Sequence, residues 1–384
     1  MSSSVARTWS IDDLRRLAKR RLPRAVFDFI DGGAETESTL RANRAAFERV
    51  RFLPKVLVDV SKVDTATTIL GGPSKLPIAI APTGAVGFGR RGGDLAIARA
   101  AAAFGIPYTL STTATTSIED IAREAPGRLW FQVYVFRRRD FTLGLIDRAR
   151  TADYEAIVVT VDLAVGGKRE RDMRNDFSVP FRFTRRNLLD FATRPAWALD
   201  MLARGMPVME NLVGFENEAA STAAIAASVG RNMDPSFDWD GLKAIRDRWP
   251  RKLIVKGVER ADDTERLAAI GCDGVIVSNH GGRQLDGACA TLDALPAVAR
   301  AAGKRMSVFV DGGVRRGGDA VKAVALGAEA AMVGRATLFG ACAGGEPGAV
   351  RALEILRDEL VRTMQLCGVT RVGAIGPELL APER

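Results

Sequence analysis

Eight short apolar runs, each followed by a helix-forming stretch, constrain this chain more than any other feature. The runs are Pro77–Pro82, Tyr108–Thr112, Leu129–Val135, Ala156–Asp162, Lys252–Gly257, Asp273–Asn279, Met306–Gly313 and Ala330–Arg335. They are near-continuously apolar rather than alternating, the pattern of strands buried on both faces, as a parallel sheet requires. Segments between them, such as GGDLAIARAAAAFG (92–105) and GGDAVKAVALGA (317–328), are rich in Ala and helix-periodic. Eight β/α units predict an α/β fold, a (β/α)8 TIM barrel, with a doubly wound sheet as the alternative.

Polar residues and glycines stand at the C-terminal end of every run: Pro82-Thr83-Gly84, Ser111-Thr112, Gln132 and Tyr134, Thr160 and Asp162, Lys256, Ser278-Asn279-His280, Asp311-Gly312-Gly313, and Gly334-Arg335. In a barrel that end is the mouth, where chemistry is done. Three stretches lie outside the repeat. Residues 1–76 form an N-terminal helical extension, in which Ser10-Ile11-Asp12-Asp13 is a capping-box variant opening a helix through Arg21. Residues 77–368 form the barrel and 369–384 a C-terminal tail. Between Asp162 and Lys252 the chain makes an excursion (177–240) far longer than a βα connection of roughly 30 residues. It mixes Arg182, Arg185, Arg186, Arg194 and Arg204 with Leu188, Leu189, Phe191, Trp197, Leu199, Met201 and Leu202. That composition suits a lid, a membrane-surface patch, a subunit contact or a helix packed on the barrel.

The formal net charge of +9 favours anionic partners: an acidic substrate, a phosphorylated cofactor or lipid headgroups. Nucleic acid is disfavoured, because the densest basic runs (15–21 and 137–139) have no interleaved aromatics. No apolar run approaches the roughly 20 residues of a membrane-spanning helix, and no secretory h-region is visible. The four cysteines, Cys272, Cys289, Cys342 and Cys367, are scattered, so neither a disulfide framework nor a metal site is expected. These features predict a cytoplasmic protein, with peripheral contact at the cytoplasmic membrane face as one reading of the excursion.

His280 is the only histidine. Imidazole is the usual proton acceptor near neutral pH. Here it ends the sixth run, in SNHGGRQLDG (278–287), with Arg283 three residues on. A neutral imidazole can take a proton from a hydroxyl while Arg283 binds a neighbouring carboxylate. Asp162 is placed to orient the imidazole. Lys256 reads as a cation beside an electron-accepting cofactor, as a Schiff-base lysine or as an ion-pair member. Asp311–Gly317 and Gly334-Arg335 bring glycines beside Arg315 and Arg335 on the last two strands, where barrels commonly hold phosphate.

With these motifs, together with LPRAVFDFIDGGAE (22–35), APTG (81–84), WFQVYV (130–135), TVDLAVGGKRERD (160–172) and GRATLFG (334–340), the chain resembles the FMN-dependent L-2-hydroxy acid dehydrogenase/oxidase family from about Ile11 to Gly368. Segment 160–172 looks most like the mandelate dehydrogenases, and 187–202 like the bacterial L-lactate dehydrogenases. The resemblance implies an FMN enzyme that oxidises an L-2-hydroxy acid, mandelate- or lactate-like, to the 2-oxo acid. It implies His280 as the base, as hydride or its carbanion equivalent leaves C2 for flavin N5, with Asp162 paired to it. It implies Tyr134, Arg283 and Arg169 on the substrate and Lys256 beside flavin N1/O2. It places Pro82, Thr83, Gly84, Ser111, Gln132, Thr160 and Ser278 along the ring and ribityl chain. Asp311, Gly313, Arg315, Gly334 and Arg335 would hold the ribityl end and phosphate. A homotetramer is also implied.

Three positions refine the resemblance. Phe29 stands where the family usually has a tyrosine that binds the substrate carboxylate; it keeps the ring and loses the donor. Thr113 stands where glycolate oxidase has a large aromatic, which predicts a roomier pocket. Gly84 matches the dehydrogenase branch and favours a quinone or other acceptor over oxygen. Phe29 also leaves open an FMN oxidase of a different substrate, an amine or a peptide-derived group, on the same scaffold.

Overall fold

The computed structural model describes residues 3–177, 184–215 and 232–382. Eight strands close into one parallel barrel: β3 (Ile78–Ile80), β4 (Tyr108–Ser111), β5 (Leu129–Val133), β6 (Ala156–Thr160), β7 (Lys252–Val258), β8 (Gly274–Val277), β9 (Ser307–Val310) and β10 (Ala330–Val333), with β10 pairing β3. Each strand coincides with one apolar run. Most are shorter than the run, because the terminal polar residues and glycines turn away into the mouth. Met306–Gly313, for instance, contributes only Ser307–Val310, and Gly312 and Gly313 leave at φ 85° and 98°.

Alternation divides every strand but β4 between two cores. Ala79, Trp130, Val158, Ile254, Ile276, Phe309 and Met332 fill the barrel interior. Their neighbours Ile78, Ile80, Phe131, Val133, Ile157, Val159, Val255 and Val310 face the surrounding helices. Within the otherwise helical extension 1–76 lies an unforeseen antiparallel hairpin, β1 (Thr67–Ile69) and β2 (Gly72–Ser74). Its Ile69 and Leu70 belong to the interior cluster and plug the barrel.

The extension reaches the mouth. Ser10 and Asp13 form the expected capping box on the helix Ile11–Arg21. The helices Arg24–Asp31 and Ser38–Arg49 follow, and the turn between them is tied to the loop after β8 by Ala34 N–H donating to Gly282 O at 2.8 Å. Residues 369–382 return to the extension, with bridges Phe52–Leu380 and Asp64–Arg371 and a fully buried Leu379.

In the excursion, the helices Arg185–Ala192 and Pro195–Arg204 dock on the extension and the barrel. Asp190 accepts from the backbone N–H groups of Arg24 (3.0 Å) and Ala25 (3.1 Å), capping the helix that carries Phe29. Trp197 Nε1 donates to Phe88 O at 2.8 Å. Leu188, Leu189, Leu199 and Leu202 remain exposed. Arg182 lies outside the described residues, as do the side chain of Arg186 and the rest of 178–183 and 216–231.

Candidate active site

The loop after β8 crosses the mouth with three successive left-handed residues: His280 (φ 58°), Gly281 (63°) and Gly282 (73°). That conformation costs a non-glycine residue roughly 1–2 kcal/mol, so other contacts must hold His280 there. Its backbone N–H donates to Ser278 Oγ at 3.1 Å. Its Nδ1 lies 3.0 Å from Asp162 Oδ1, and its Nε2 3.3 Å from the Tyr134 hydroxyl. Asp162 follows β6 and can approach because Gly257, on β7 at φ 102°, has no side chain: a Cβ there would sit 2.6 Å from that of Asp162.

Charges fix the tautomer. Burial alone would raise the Asp162 carboxyl, but Lys256 and His280 outweigh it and hold it below its ordinary value. An ionised Asp162 only accepts, so Nδ1 carries the proton and Nε2 presents its lone pair to the mouth. Burial, aided by Lys256 and Arg283 against the pull of Asp162, lowers His280 below the usual 6.5 and keeps it neutral at pH 7. Burial pushes the Tyr134 phenol up to about 12, so it keeps its proton and donates to Nε2.

Lys256 is buried beneath this pair. Its Nζ lies 2.9 Å from Ser278 Oγ, 3.6 Å from Asp311 Oδ2 and 3.9 Å from Asp162 Oδ2. Burial opposes its charge, yet Asp311 and Asp162 prevail and hold it protonated.

One wall is cationic and aromatic. Arg283 Nη1 donates to Phe29 O (2.7 Å) and Gly32 O (2.9 Å), and its guanidinium lies 5.2 Å from the Phe29 ring centroid. Arg169 covers the same ring at 5.7 Å and pairs with Asp172 at 3.0 Å. Phe177 stacks on Phe29 with centroids 4.8 Å apart. Burial and the neighbouring Arg169 lower Arg283 to about 10, so an anion placed here relieves two guanidinium groups.

The remaining predicted residues line the rest of the mouth. Pro82, Thr83 and Gly84 follow β3. Ser111, Gln132 and Thr160 are linked across β4, β5 and β6: Ser111 Oγ lies 3.1 Å from Gln132 Oε1, and Gln132 Nε2 lies 3.0 Å from Thr160 Oγ1. Gly313 and Gly334 sit beside Arg315 and Arg335 after β9 and β10.

These residues fit FMN. Arg315 is half-buried and its side chain pairs with no carboxylate among the described residues; it donates to Val314 O at 3.0 Å and lies over the Phe339 ring. Burial and Arg44 lower it to about 10. Arg335 gives its donors to the carbonyls of Ile30, Gly281 and Gly32 and likewise forms no ion pair among the described residues. Both border a cavity of about 440 Å³ that Gly281, Gly313 and Arg44 also line. Seven arginines against the three acids Asp12, Asp31 and Glu37 line that cavity, an excess of positive charge that suits an external anion such as a phosphate. Asp311 Oδ1 is buried without a hydrogen-bond partner, an acceptor suited to a ribityl hydroxyl.

Three features carried no clear signal in the sequence. Asn43, from the extension, exchanges amide hydrogen bonds with Asn279 at 2.8 and 2.9 Å. Glu259 follows Val258 of β7 with Oε1 unpartnered, and burial raises it to about 7 with help from Asp162 and Asp311. Asp94 is fully buried and binds Thr115, whose hydroxyl accepts from Gly87 N–H at 3.0 Å. Asn279 at least stood within the SNHGG motif; Asn43, Glu259 and Asp94 belong to no pattern.

Comparison with known proteins accords with this geometry. A family described as FMN-dependent dehydrogenase matches residues 18–382. The chain is 44% identical over 375 residues to (S)-mandelate dehydrogenase of Pseudomonas putida, covering 98% of this chain and 94% of that protein. It is 42% identical to L-lactate dehydrogenase of Caulobacter vibrioides, covering 97% of each. A crystal structure of the monotopic membrane protein (S)-mandelate dehydrogenase superposes with a TM-score of 0.94 at 43% identity, covering 98% of this chain and all of that one. A mandelate oxidase structure superposes at 0.83 with 37% identity, covering 98% of each. This chain belongs to the FMN-dependent dehydrogenase family.

Proposed function

We propose that this protein oxidises an L-2-hydroxy acid, mandelate- or lactate-like, to the corresponding 2-oxo acid and passes the electrons to a quinone or another acceptor. The observation that carries the reading is His280, kept neutral by burial and held with its proton on Nδ1 by the Asp162 contact, so that Nε2 faces the mouth beside Arg283 as a bare nitrogen. Arg283 and Arg169 hold the substrate carboxylate, Phe29 packs beneath them, and Tyr134 meets the substrate oxygens. Nε2 takes one proton from the substrate, and Asp162 stabilises the imidazolium that forms. FMN, when bound, supplies the two-electron acceptor for C2. Lys256 is the fixed cation that favours negative charge on that acceptor. Pro82, Thr83, Gly84, Ser111, Gln132, Thr160 and Ser278 position the ring and ribityl chain, while Asp311, Gly313, Arg315, Gly334 and Arg335 hold the ribityl end and phosphate.

The exposed Leu188, Leu189, Leu199 and Leu202 lie near Arg185 and Arg204, which are exposed as well. Apolar side chains beside arginines suit peripheral contact with an anionic membrane surface. The monotopic relative supports that reading, and no helix among the described residues is long and apolar enough to cross a membrane. Product analysis with a dye acceptor tests the chemistry. The L-enantiomers of mandelate or lactate should yield phenylglyoxylate or pyruvate. Turnover of amines with neither 2-oxo acid formed would move the enzyme to another substrate class.

A further inference from the structure

The turn that carries His280 is held from a distance. His280 and Gly281 are both left-handed, at φ 58° and 63°, as the central pair of a type I′ turn must be. That conformation is disfavoured for a residue with a Cβ, so the turn needs support from outside itself. Gly282 N–H closes it, donating to Asn279 O at 3.0 Å and to Asn279 Oδ1 at 3.1 Å. A backbone N–H only donates, so the second contact identifies the oxygen end of the Asn279 amide. The nitrogen end donates to Cys289 O at 2.9 Å.

Asn43 fixes the roll of that amide. It stands on the helix Ser38–Arg49 of the extension, and the Thr291 N–H donates to its Oδ1 at 3.2 Å, which identifies its own oxygen end. The two amides then form a closed pair: Asn43 Nδ2 donates to Asn279 Oδ1 at 2.8 Å, and Asn279 Nδ2 donates to Asn43 Oδ1 at 2.9 Å. Both side chains are buried. Gly313 makes room for this approach, since a Cβ there would sit 2.6 Å from Asn43 O. Turning Asn279 over would set donor against donor at Gly282 N–H and acceptor against acceptor at Cys289 O, so the pair has one arrangement.

We propose that Asn43 is a positioning residue for the base: through Asn279 it holds the left-handed turn that aims His280 Nε2 into the mouth. For the reaction, this rests on the 2-hydroxy acid reading above. Asn43 acts through the Asn279 amide and the Gly282 N–H. It ties the base to the same extension whose Phe29 and Gly32 carbonyls hold Arg283. Base and carboxylate-binding arginine are thereby set against one frame.

Asn43→Asp is the nearly isosteric test. Its carboxyl still accepts from Thr291 N–H, but its second oxygen donates to Asn279 Oδ1 only while protonated. Ionised, it sets acceptor against acceptor and turns the Asn279 amide away. Two readouts apply to the FMN-loaded protein. In solid-state NMR with isotope-labelled histidine, His280 gives the only imidazole signals. The parent should show Nδ1 protonated and Nε2 bare, and Asn43→Asp at alkaline pH should lose that single tautomer. In anaerobic stopped-flow with L-mandelate and L-lactate, flavin reduction in Asn43→Asp should slow by on the order of 10²-fold, with the gap to the parent closing as pH falls. Leu379→Ala, which loosens the tail against the extension, should change neither readout. Should Asn43→Asp not retain FMN, Asn43→Ser, which leaves space for water, should show the same losses without the recovery at low pH. An Asn43 variant with the parent's tautomer and rate, or a Leu379→Ala that matches its losses, overturns the Asn43 assignment alone; so does loss of the folded protein in both Asn43 variants, which would make the role structural. A parent reduced by neither acid overturns the 2-hydroxy acid reading, while the NMR readout still decides what holds His280.

Discussion

Asp162 Oδ1 lies 3.0 Å from Nδ1 of His280, and that contact decides which imidazole nitrogen faces the barrel mouth. The carboxylate comes from the end of β6 and the imidazole from a left-handed turn after β8. The pairing therefore depends on barrel closure and cannot arise from any local segment.

The pH profile follows from the same contact. In the proposed reaction His280 acts when neutral, and burial lowers its pKa below 6.5. Activity should rise with pH through an inflection below that value and then level off. Asp162 opposes the lowering, so Asp162→Asn should shift the inflection to still lower pH and reduce the plateau by on the order of 10²–10⁴-fold. A pH series of kcat/KM for both proteins checks this; an inflection that moves upward would contradict the assigned tautomer.

Phe29 packs under two guanidinium groups but has no donor of its own. Phe29→Tyr should lower the KM for small hydroxy acids. A hydrogen bond to a charged group is worth about 1.5–3 kcal/mol, roughly tenfold or more. Steady-state kinetics with L-lactate and glycolate give the answer, and an unchanged or higher KM would remove residue 29 from the carboxylate wall.

Arg315 is a half-buried cation whose side chain forms no ion pair among the described residues. Replacing it with Met should weaken FMN binding by about tenfold or more while leaving riboflavin binding little altered. Titration of apoprotein with both flavins measures the difference. Equal losses for the two would place the phosphate elsewhere.

Asp94 links stability to pH. Burial raises its carboxyl to about 6 in the folded state, against roughly 3.9 for the unfolded chain. Its favourable contribution is present below about pH 4 and lost as pH rises through 6, leaving an ionised buried group that costs roughly 2–3 kcal/mol at pH 7. Asp94→Asn keeps an acceptor for Thr115 and does not titrate. Its melting temperature relative to the parent should therefore increase between pH 4 and pH 7. A difference independent of pH would show that Asp94 ionises without penalty.

The barrel was legible because buried parallel strands leave an apolar signature of their own, and all eight runs became strands. The SNHGGRQLDG, DGGVRRGGD and GRATLFG motifs likewise marked strand ends whose residues the closed barrel gathers at its mouth. The hairpin at Ile69 and Leu70 was missed because three-residue strands around Leu70-Gly71 lack the usual Asn-Gly signal. The Asn43–Asn279 pair joins residues 236 positions apart, and no local pattern encodes such a contact.

In the proposed reaction His280 drives oxidation of a 2-hydroxy acid by the bound flavin. Its most direct test is anaerobic stopped-flow mixing of the yellow holoenzyme with L-lactate, L-mandelate, L-phenyllactate and glycolate. The flavin absorbance should bleach with at least one of them, and His280→Gln should retain its flavin yet bleach on the order of 10²–10⁴-fold more slowly. A parent enzyme that stays yellow with all four acids, or a His280→Gln variant that bleaches at the parent rate, would contradict the account.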